Sequence, residues 1–499
     1  MSSTLAETPL NAWHREHGGR MVDFGGWSMP VQYTSIVDEH HATRGAAGLF
    51  DISHMGRLHF EGTDSAAFVD SIVTRRTDNL KPGQARYAMV TNEQGGILDD
   101  VLVYHLVDGE GVSYRMMVVN AGNREKIDDW IGQHLAKFEG DVTFNDATHD
   151  WAMIALQGPL SPELLAPLTD TDLDAMRYYT ITETTIAGHE GKVSRTGYTG
   201  ELGFEIILAA GAATGLWEQL LAAGKDRGVV PCGLGSRDTL RFEAGMPLYG
   251  HELSETINPF QAGLQFGVDL EKRDYPGRAA LIEASQRTDL PVRVGLELDS
   301  QRIAREGAEI FAGDTSVGTV TSGTFAPTLE KTIAMGYVVP EHASDGSSLE
   351  IDIRGRRVPA RVEACVVNPE ELLYATTHEW VKVDNDESGA KVATVGISAF
   401  AVEALTDLVF MELPEVGRQV TAGDSFGEIE SVKAVSDIYA PVTGEVVAVN
   451  EGLPDNLQKL SDDPFGEGWV AKIKVSDEAS LAQLADYAAY QKQCAEEDH

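Results

Sequence analysis

The chain has 499 residues, of which 42 % are hydrophobic, enough for three to four domains at about 150 residues each. Its 39 basic and 78 acidic side chains leave a formal charge of −39, which disfavours nucleic acid and anionic membranes as partners and fits a solvated surface in a salt-rich cell interior. Three cysteines, Cys232, Cys365 and Cys494, lie too far apart for a disulfide framework or a zinc knuckle, and no run of 18 apolar residues is present to span a membrane.

Residues 1–8 lack the basic start and apolar core of a signal peptide, so a soluble protein of a reducing, cytoplasmic compartment is expected. Further on come Met21-Val22-Asp23-Phe24-Gly25-Gly26-Trp27, Asp38-Glu39-His40-His41 and Phe50-Asp51-Ile52-Ser53-His54-Met55-Gly56. His40 and His41 are adjacent and cannot share a helical face at i, i+4, so this is no zinc signature, and His54 reads as structural rather than as a base. No metal site is expected.

A glycine turn at 93–96 leads through Ile97-Leu98-Asp99-Asp100 into a predicted strand over 101–106. Alternation sends the two carboxylates to opposite faces, so only one can point at a ligand. Standing alone, such an Asp is more often a turn residue bonded to local amides. Thr196-Gly197-Tyr198-Thr199-Gly200-Glu201 follows, then Cys232-Gly233-Leu234-Gly235-Ser236-Arg237-Asp238-Thr239-Leu240-Arg241. The glycines of the latter are no dinucleotide fingerprint, because the third glycine and the strand–turn–helix context are missing. Thr321-Ser322-Gly323-Thr324-Phe325-Ala326-Pro327-Thr328 precedes two closing strands at 351–354 and 358–362, and Asn368-Pro369 signals a linker.

The pattern then starts afresh. Residues 370–499 hold 26 acidic and 8 basic side chains, or −18, leaving −21 for the first 369. Short strands separated by Gly, Pro and Asp are followed by a predicted helix near 480–492, with Leu481, Leu484 and Tyr487 at helical spacing. Lys433 lies between two apolar-alternating runs, Phe426, Ile429, Val432 and Val435, Ile438, Val442. A lone turn lysine is ordinarily just solvated; here it sits in Glu430-Ser431-Val432-Lys433-Ala434 ahead of Ala440-Pro441-Val442-Thr443-Gly444-Glu445-Val446.

That passage resembles the lipoyl-attachment hairpin of the glycine cleavage H-protein, as do Thr377-His378-Glu379-Trp380, Val395-Gly396-Ile397-Ser398, 407–414 and 463–469. Ala399 and Thr406 depart from the Asp and Gly that family tends to place there. The ordered motifs of the first 366 residues are similar to the glycine cleavage T-protein, the tetrahydrofolate-dependent aminomethyltransferase. The chain thus looks like a transferase fused to its own carrier.

The resemblance implies an α+β multidomain protein: folate-binding domains over 1–285, a small β-barrel domain over 286–366, a linker over 367–373 and a lipoyl-carrier barrel-sandwich hybrid with a C-terminal helix over 374–499. It implies aminomethyl transfer from the dihydrolipoyl arm on Lys433 to tetrahydrofolate, releasing ammonia and forming 5,10-methylenetetrahydrofolate. Asp100 is the implied catalytic residue, next to the folate nitrogen and the methylene. Glu205 suits the pterin's N–H edge, Tyr87 and Tyr198 offer aromatic walls, Asn120 an amide, Arg237 a partner for a carboxylate of the glutamate tail, and Tyr104 a border of the same pocket. Glycine decarboxylase, lipoamide dehydrogenase and lipoate-attaching enzymes are the implied partners. Rival expectations are the folate domain of a dimethylglycine- or sarcosine-oxidising enzyme, a catalytically silent carrier, and biotin on Lys433. The first lacks any flavin motif here.

Overall fold

Side-chain alternation along one strand organises the first half of the protein. In Ile97–Val107, Val101 and Val103 enter a core shared with helices Ser65–Ile72 and Arg124–Leu135. Tyr104 and Leu106, on the opposite face, enter a second core with Phe50, Met153, Ala155 and Ile207. Those four belong to another sheet, so two sheets pack face to face with helices outside.

The first sheet is antiparallel, in the order Ala85–Thr91, Ile97–Val107, Ser113–Val119, Gly56–Glu61, Thr143–Asp146. The second runs Ile181–Ile186, His189–Ser194, Gly203–Ala209, Trp151–Gln157, Gly48–Asp51, Val230–Cys232, with only its last pair parallel. Leu216, Trp217 and Leu220 of helix Ala213–Gly224 cover its outer face. A third region is a closed six-stranded barrel between Val292 and Glu363.

The structure is a computed structural model; it describes all residues except 1–3, 272–273, 364–371, 386–389, 406–407, 432–434, 455–456, 458, 461–463, 467 and 498–499. Lys433, Thr406, Cys365 and most of the expected linker lie outside the described residues. The chain divides into two units, Met1–Cys365 and Val366–His499.

Within the first unit a buried ion pair ties the barrel to the two-sheet body. Glu252, fully buried, accepts from Arg241 Nη1 at 2.9 Å, the Leu248 amide at 3.0 Å, Thr321 Oγ1 at 2.7 Å and Ser322 Oγ, while its carbonyl accepts from Tyr337 at 2.8 Å. Neutralising one member of such a pair leaves the other charge buried and uncompensated. Glu252→Gln is therefore expected to cost about 3–5 kcal/mol, read as a lower urea midpoint for this unit.

The second unit has a six-stranded sheet, Leu373–Tyr374, Glu379–Asn385, Lys391–Ile397, Trp469–Asp477, Thr443–Val449, Gln419–Val420. A three-stranded sheet, Leu408–Glu412, Ser425–Ser431, Val435–Tyr439, shares its core through Met411, Ile429, Ile438, Val446 and Ile473. The Asp-to-Ala departure at Ala399 falls on the first residue of helix Ala399–Leu405, where Ser398 Oγ accepts the Ala401 amide and supplies the cap.

The helix expected at 480–492 is split. A 3-10 turn spans Glu478–Gln483 and the α-helix runs Tyr487–Glu497. Asp477 caps the turn and Asp486 Oδ1 accepts the Ala489 amide at 2.8 Å, starting the helix later than the leucine spacing suggests. Leu481 and Leu484 instead pack on the core shared by this unit's two sheets.

Glu379 in this unit is 2 % exposed, accepts the Tyr439 amide at 2.9 Å, and burial pushes its carboxyl up to about 7. A raised folded value means stabilisation that is complete below the unfolded value near 4.5 and lost as pH rises through 7. This unit is thus expected to lose up to about 3 kcal/mol between pH 4 and 8. Thermal melts of the Glu379→Gln variant should show this slope abolished.

Candidate active site

The facing sides of the two sheets share the core that holds Tyr104, Leu106, Met153 and Ile207. Asp100 shares its face with Tyr104 on the first sheet, and Glu205 shares its face with Ile207 on the second. Strand period 2 dictates both placements. Asp99 points the other way and is fully buried on the helix side, whereas Asp100 is half-buried.

Both carboxylates are held from a single turn, Ala121–Asn123, and the residue preceding it. Asn120 Nδ2 donates to Asp99 Oδ1 and to Asp100 Oδ1, each at 2.8 Å. Asp99 Oδ1 also accepts Asn123 Nδ2 at 2.6 Å, and its Oδ2 accepts the Asn120 amide at 3.0 Å. Asp100 Oδ2 accepts the Tyr87 hydroxyl at 3.3 Å. Burial pushes both acids above the usual carboxylate range, and the Asp100 charge adds to the rise at Asp99.

Tyr87 stacks on Phe266, with ring centroids 5.5 Å apart and planes 29° from parallel. Burial and the Asp100 charge raise its hydroxyl pKa well above normal. Tyr198 gives its hydroxyl to the Pro247 carbonyl, and its ring lies 4.9 Å from the Arg237 guanidinium carbon. Arg237, on helix Leu234–Glu243, is lowered by burial and supported by Glu205 and Tyr198. Glu205 accepts Thr196 Oγ1 at 2.5 Å, and burial raises it. Tyr104, fully buried, has its hydroxyl beside Glu205, Ser194 and Thr196.

Asp100, Tyr87, Asn120, Tyr198, Arg237, Glu205 and Tyr104 are thus brought together by direct contact or electrostatic proximity. Three polar atoms in this region, Arg237 Nη1, His54 Nδ1 and the Tyr104 hydroxyl, are buried without a hydrogen-bond partner among the described residues, which suits a ligand with polar edges. His54 meets Phe24 edge-on at 5.5 Å, and burial lowers it to about 4, so it is neutral at pH 7. Lys433 lies outside the described residues, but its flanking strands pair, Glu430 opposite Val435. Among the described residues no cluster of three or more His, Cys, Asp or Glu is arranged for a metal.

Sequence reasoning missed several participants. Tyr179 sits where the two sheets join, its carbonyl accepting the Ala85 amide at 2.8 Å and its φ at 58°, and Tyr178 packs edge-on against it. The left-handed backbone at a tyrosine is costly and leaves no trace in composition. Asn123, Phe266 and Glu252 were equally invisible, since each acts through a contact made after folding.

Comparison with known proteins follows this geometry. A GCVT N-terminal domain model matches residues 10–272, a glycine cleavage T-protein C-terminal barrel model residues 292–366, and a glycine cleavage H-protein model residues 372–497. The chain is 46 % identical over 370 residues to the aminomethyltransferase of Streptomyces coelicolor, covering 73 % of this chain and 98 % of that one. It is 43 % identical over 362 residues to that of a Geobacillus species, covering 72 % and 98 %. The crystal structure of glycine cleavage system aminomethyltransferase T from Bartonella henselae superposes with a TM-score of 0.67 at 33 % identity, covering 72 % of this chain and 97 % of that one.

Proposed function

The chain belongs to the glycine cleavage T-protein family and carries a glycine cleavage H-protein domain on the same polypeptide, and on that footing we propose how its residues move a one-carbon unit. The protein is a tetrahydrofolate-dependent aminomethyltransferase fused to a lipoyl carrier. When bound, the dihydrolipoyl arm supplies the sulfur that bears –CH2–NH2, and tetrahydrofolate supplies the two nitrogens that receive the methylene.

Asp100 is the group that faces the reacting carbon. Its carboxylate offsets positive charge there as ammonia departs, in a cleft where water is scarce and the charge acts strongly. Glu205 receives the pterin's N–H donors, and Tyr104 closes the pocket behind it. Arg237 lies beside Glu205, which favours the pterin's carbonyl oxygen as its ligand over the distant tail carboxylate. Tyr87 and Tyr198 wall the ring. Asn120, whose Nδ2 is committed to Asp99 and Asp100, offers Oδ1. Orientation by these groups contributes several kcal/mol of the barrier reduction.

Lys433 is the attachment point of the arm, and its cycle calls for a glycine decarboxylase, a lipoamide dehydrogenase and a lipoate-attaching enzyme as partners. Three dispersed cysteines, two of them buried and free, support a reducing, cytoplasmic setting. No helix among the described residues is long and apolar enough to cross a membrane.

What supports this reading is that Tyr198 lies within electrostatic reach of both Asp100 and Arg237, and Arg237 within reach of Glu205, on two sheets that share a core. The test is ammonia release from aminomethylated carrier with and without tetrahydrofolate. A strong folate dependence is expected; release at the full rate without folate would overturn the assignment.

A further inference from the structure

His54 stands at the edge of the site without a task. It belongs to a tight turn, closed by the Met55 amide donating to the Ile52 carbonyl at 3.1 Å, that leads into strand Gly56–Glu61. Gly56 pairs with Val119, and Leu102 with Val118. Carried one residue further, that register sets Met55, Asn120 and Asp100 in one row, and Asn120 Nδ2 donates to Asp100 Oδ1 at 2.8 Å. His54 is next to the end of that row, two strand spacings or about 10 Å of backbone from Asp100. Tyr87 holds the other flank of Asp100. Across that span there is room for a methylene and the nitrogen it carries.

The surroundings of the imidazole are defined on several sides. Its ring meets Phe24 edge-on at 5.5 Å. Gly25, next in the chain, packs so closely on Gly122 that a Cβ there would come 3.3 Å from the Gly122 Cα, which brings this hairpin tip onto the turn beside Asn120. The charged groups within electrostatic reach are Asp51, Arg237 and Arg57. His54 is 4 % exposed, and its Nδ1 has no hydrogen-bond partner among the described residues. A buried polar atom left unpaired is costly, and a ligand that pairs it recovers that cost. Burial also keeps the ring uncharged at neutral pH, so one of its nitrogens offers a lone pair.

Every polar part of the reactants but one has a counterpart in the site described above: Glu205 for the pterin's N–H edge, Arg237 for its carbonyl oxygen, Asp100 for the carbon. The amine nitrogen has none. We propose, resting on that reading, that His54 Nδ1 accepts a hydrogen bond from the amine nitrogen of the aminomethyl group and positions it until ammonia leaves.

A neutral acceptor suits this place. A lysine or arginine would repel a carbon that is gaining positive charge, and a carboxylate would hold the departing nitrogen as ammonium. His54 changes its own proton count at no step. Two C–N bonds form from the methylene to folate, while the methylene's bonds to the amine and to sulfur break. The two protons that the folate nitrogens lose end on NH3 and on the thiol.

The experiment runs the reaction backwards on the full, dihydrolipoylated chain, with ammonia and 5,10-methylenetetrahydrofolate as substrates, so that ammonia saturation is read directly. His54→Phe keeps a ring against Phe24 and removes the nitrogen. The half-saturating ammonia concentration is expected to rise about tenfold, while that of the folate changes by less than about twofold. His54→Asn places an amide oxygen close to where Nδ1 stood and is expected to recover most of the loss. His54→Gln, whose amide reaches the Nε2 position instead, is expected to recover none. A merely structural histidine would raise both constants together or lower the rate alone. Either result, or recovery by Gln rather than Asn, overturns the proposal. Should these variants fold poorly, the Lys433→Arg chain, which carries no arm, keeps the site intact without turnover. There, ammonia added to the folate-bound protein is expected to move the 15N resonance of His54 Nδ1 beyond the shift that folate alone causes, and an unmoved resonance overturns the proposal equally. Folate dependence of ammonia release in the unaltered chain tests the underlying reading separately.

Discussion

Asp100→Asn is expected to slow folate-dependent ammonia release by about 10²–10³-fold while tetrahydrofolate binding changes by no more than a few-fold. The asymmetry follows from where the carboxyl sits. Its Oδ1 is tied to Asn120 and its Oδ2 loosely to Tyr87, and in the proposed role its remaining surface serves the reacting carbon rather than the pterin. An asparagine keeps the shape and the Asn120 contact through its carbonyl, but carries no negative charge to offset the cationic carbon. Rapid-kinetic measurement of ammonia release, alongside folate titration by fluorescence, separates kcat from affinity. An equal loss in both would mean that Asp100 serves binding.

Lys433→Arg is expected to abolish glycine cleavage supported by the chain's own carrier. A guanidinium keeps the charge, yet the acyl-transfer enzyme that builds the lipoyl amide needs a neutral amine to attack with, and arginine cannot provide one. Intact mass should lose the lipoyl increment, and activity should return when separately prepared lipoylated carrier is added. An equimolar mixture of Lys433→Arg and Asp100→Asn chains is expected to regain activity, because each supplies the unit that the other lacks. No recovery in that mixture would show that transfer is confined within one chain.

Tethering acts on this balance through concentration. A short covalent link raises the effective concentration of one unit near the other to about mM, whereas a linker too short to span the sites removes the advantage entirely. The mixing experiment therefore measures how much of the turnover depends on transfer between chains.

The acidity of both parts bears on the same encounter. With −21 on the first 369 residues and −18 on the rest, like charge opposes the approach of separate chains at low ionic strength. Recovery in the mixture should accordingly rise with salt, until screening is complete.

Much of the fold was legible before any coordinates. Strand alternation in 97–107 placed Asp99 and Asp100 on opposite faces, and the structure has Asp99 fully buried and Asp100 half-buried. The runs flanking Lys433 are paired strands. These features are periodic or local, and chain geometry at that range follows from residue type.

Less was legible where local chemistry competed with spacing. The leucines at 481 and 484 suggested one helix, but Asp477 and Asp486 each capture backbone amides and break the run into a turn and a later helix. Asn120 read as a ligand-binding amide; in the fold its nitrogen bridges two carboxylates brought to it from the neighbouring strand.

By itself, then, the order of residues determined the kinds of elements, the faces of Asp99 and Asp100, the place of the carrier lysine and the chemistry those groups are suited to. Tertiary structure alone decided which faces meet. Glu205 reaches the Asp100 side because two sheets share a core, Arg237 joins them from a helix beyond both, and Glu252 finds Thr321 across 69 residues of chain. Such contacts depend on how buried surfaces fit against one another, and no spacing along a single strand or helix encodes that fit.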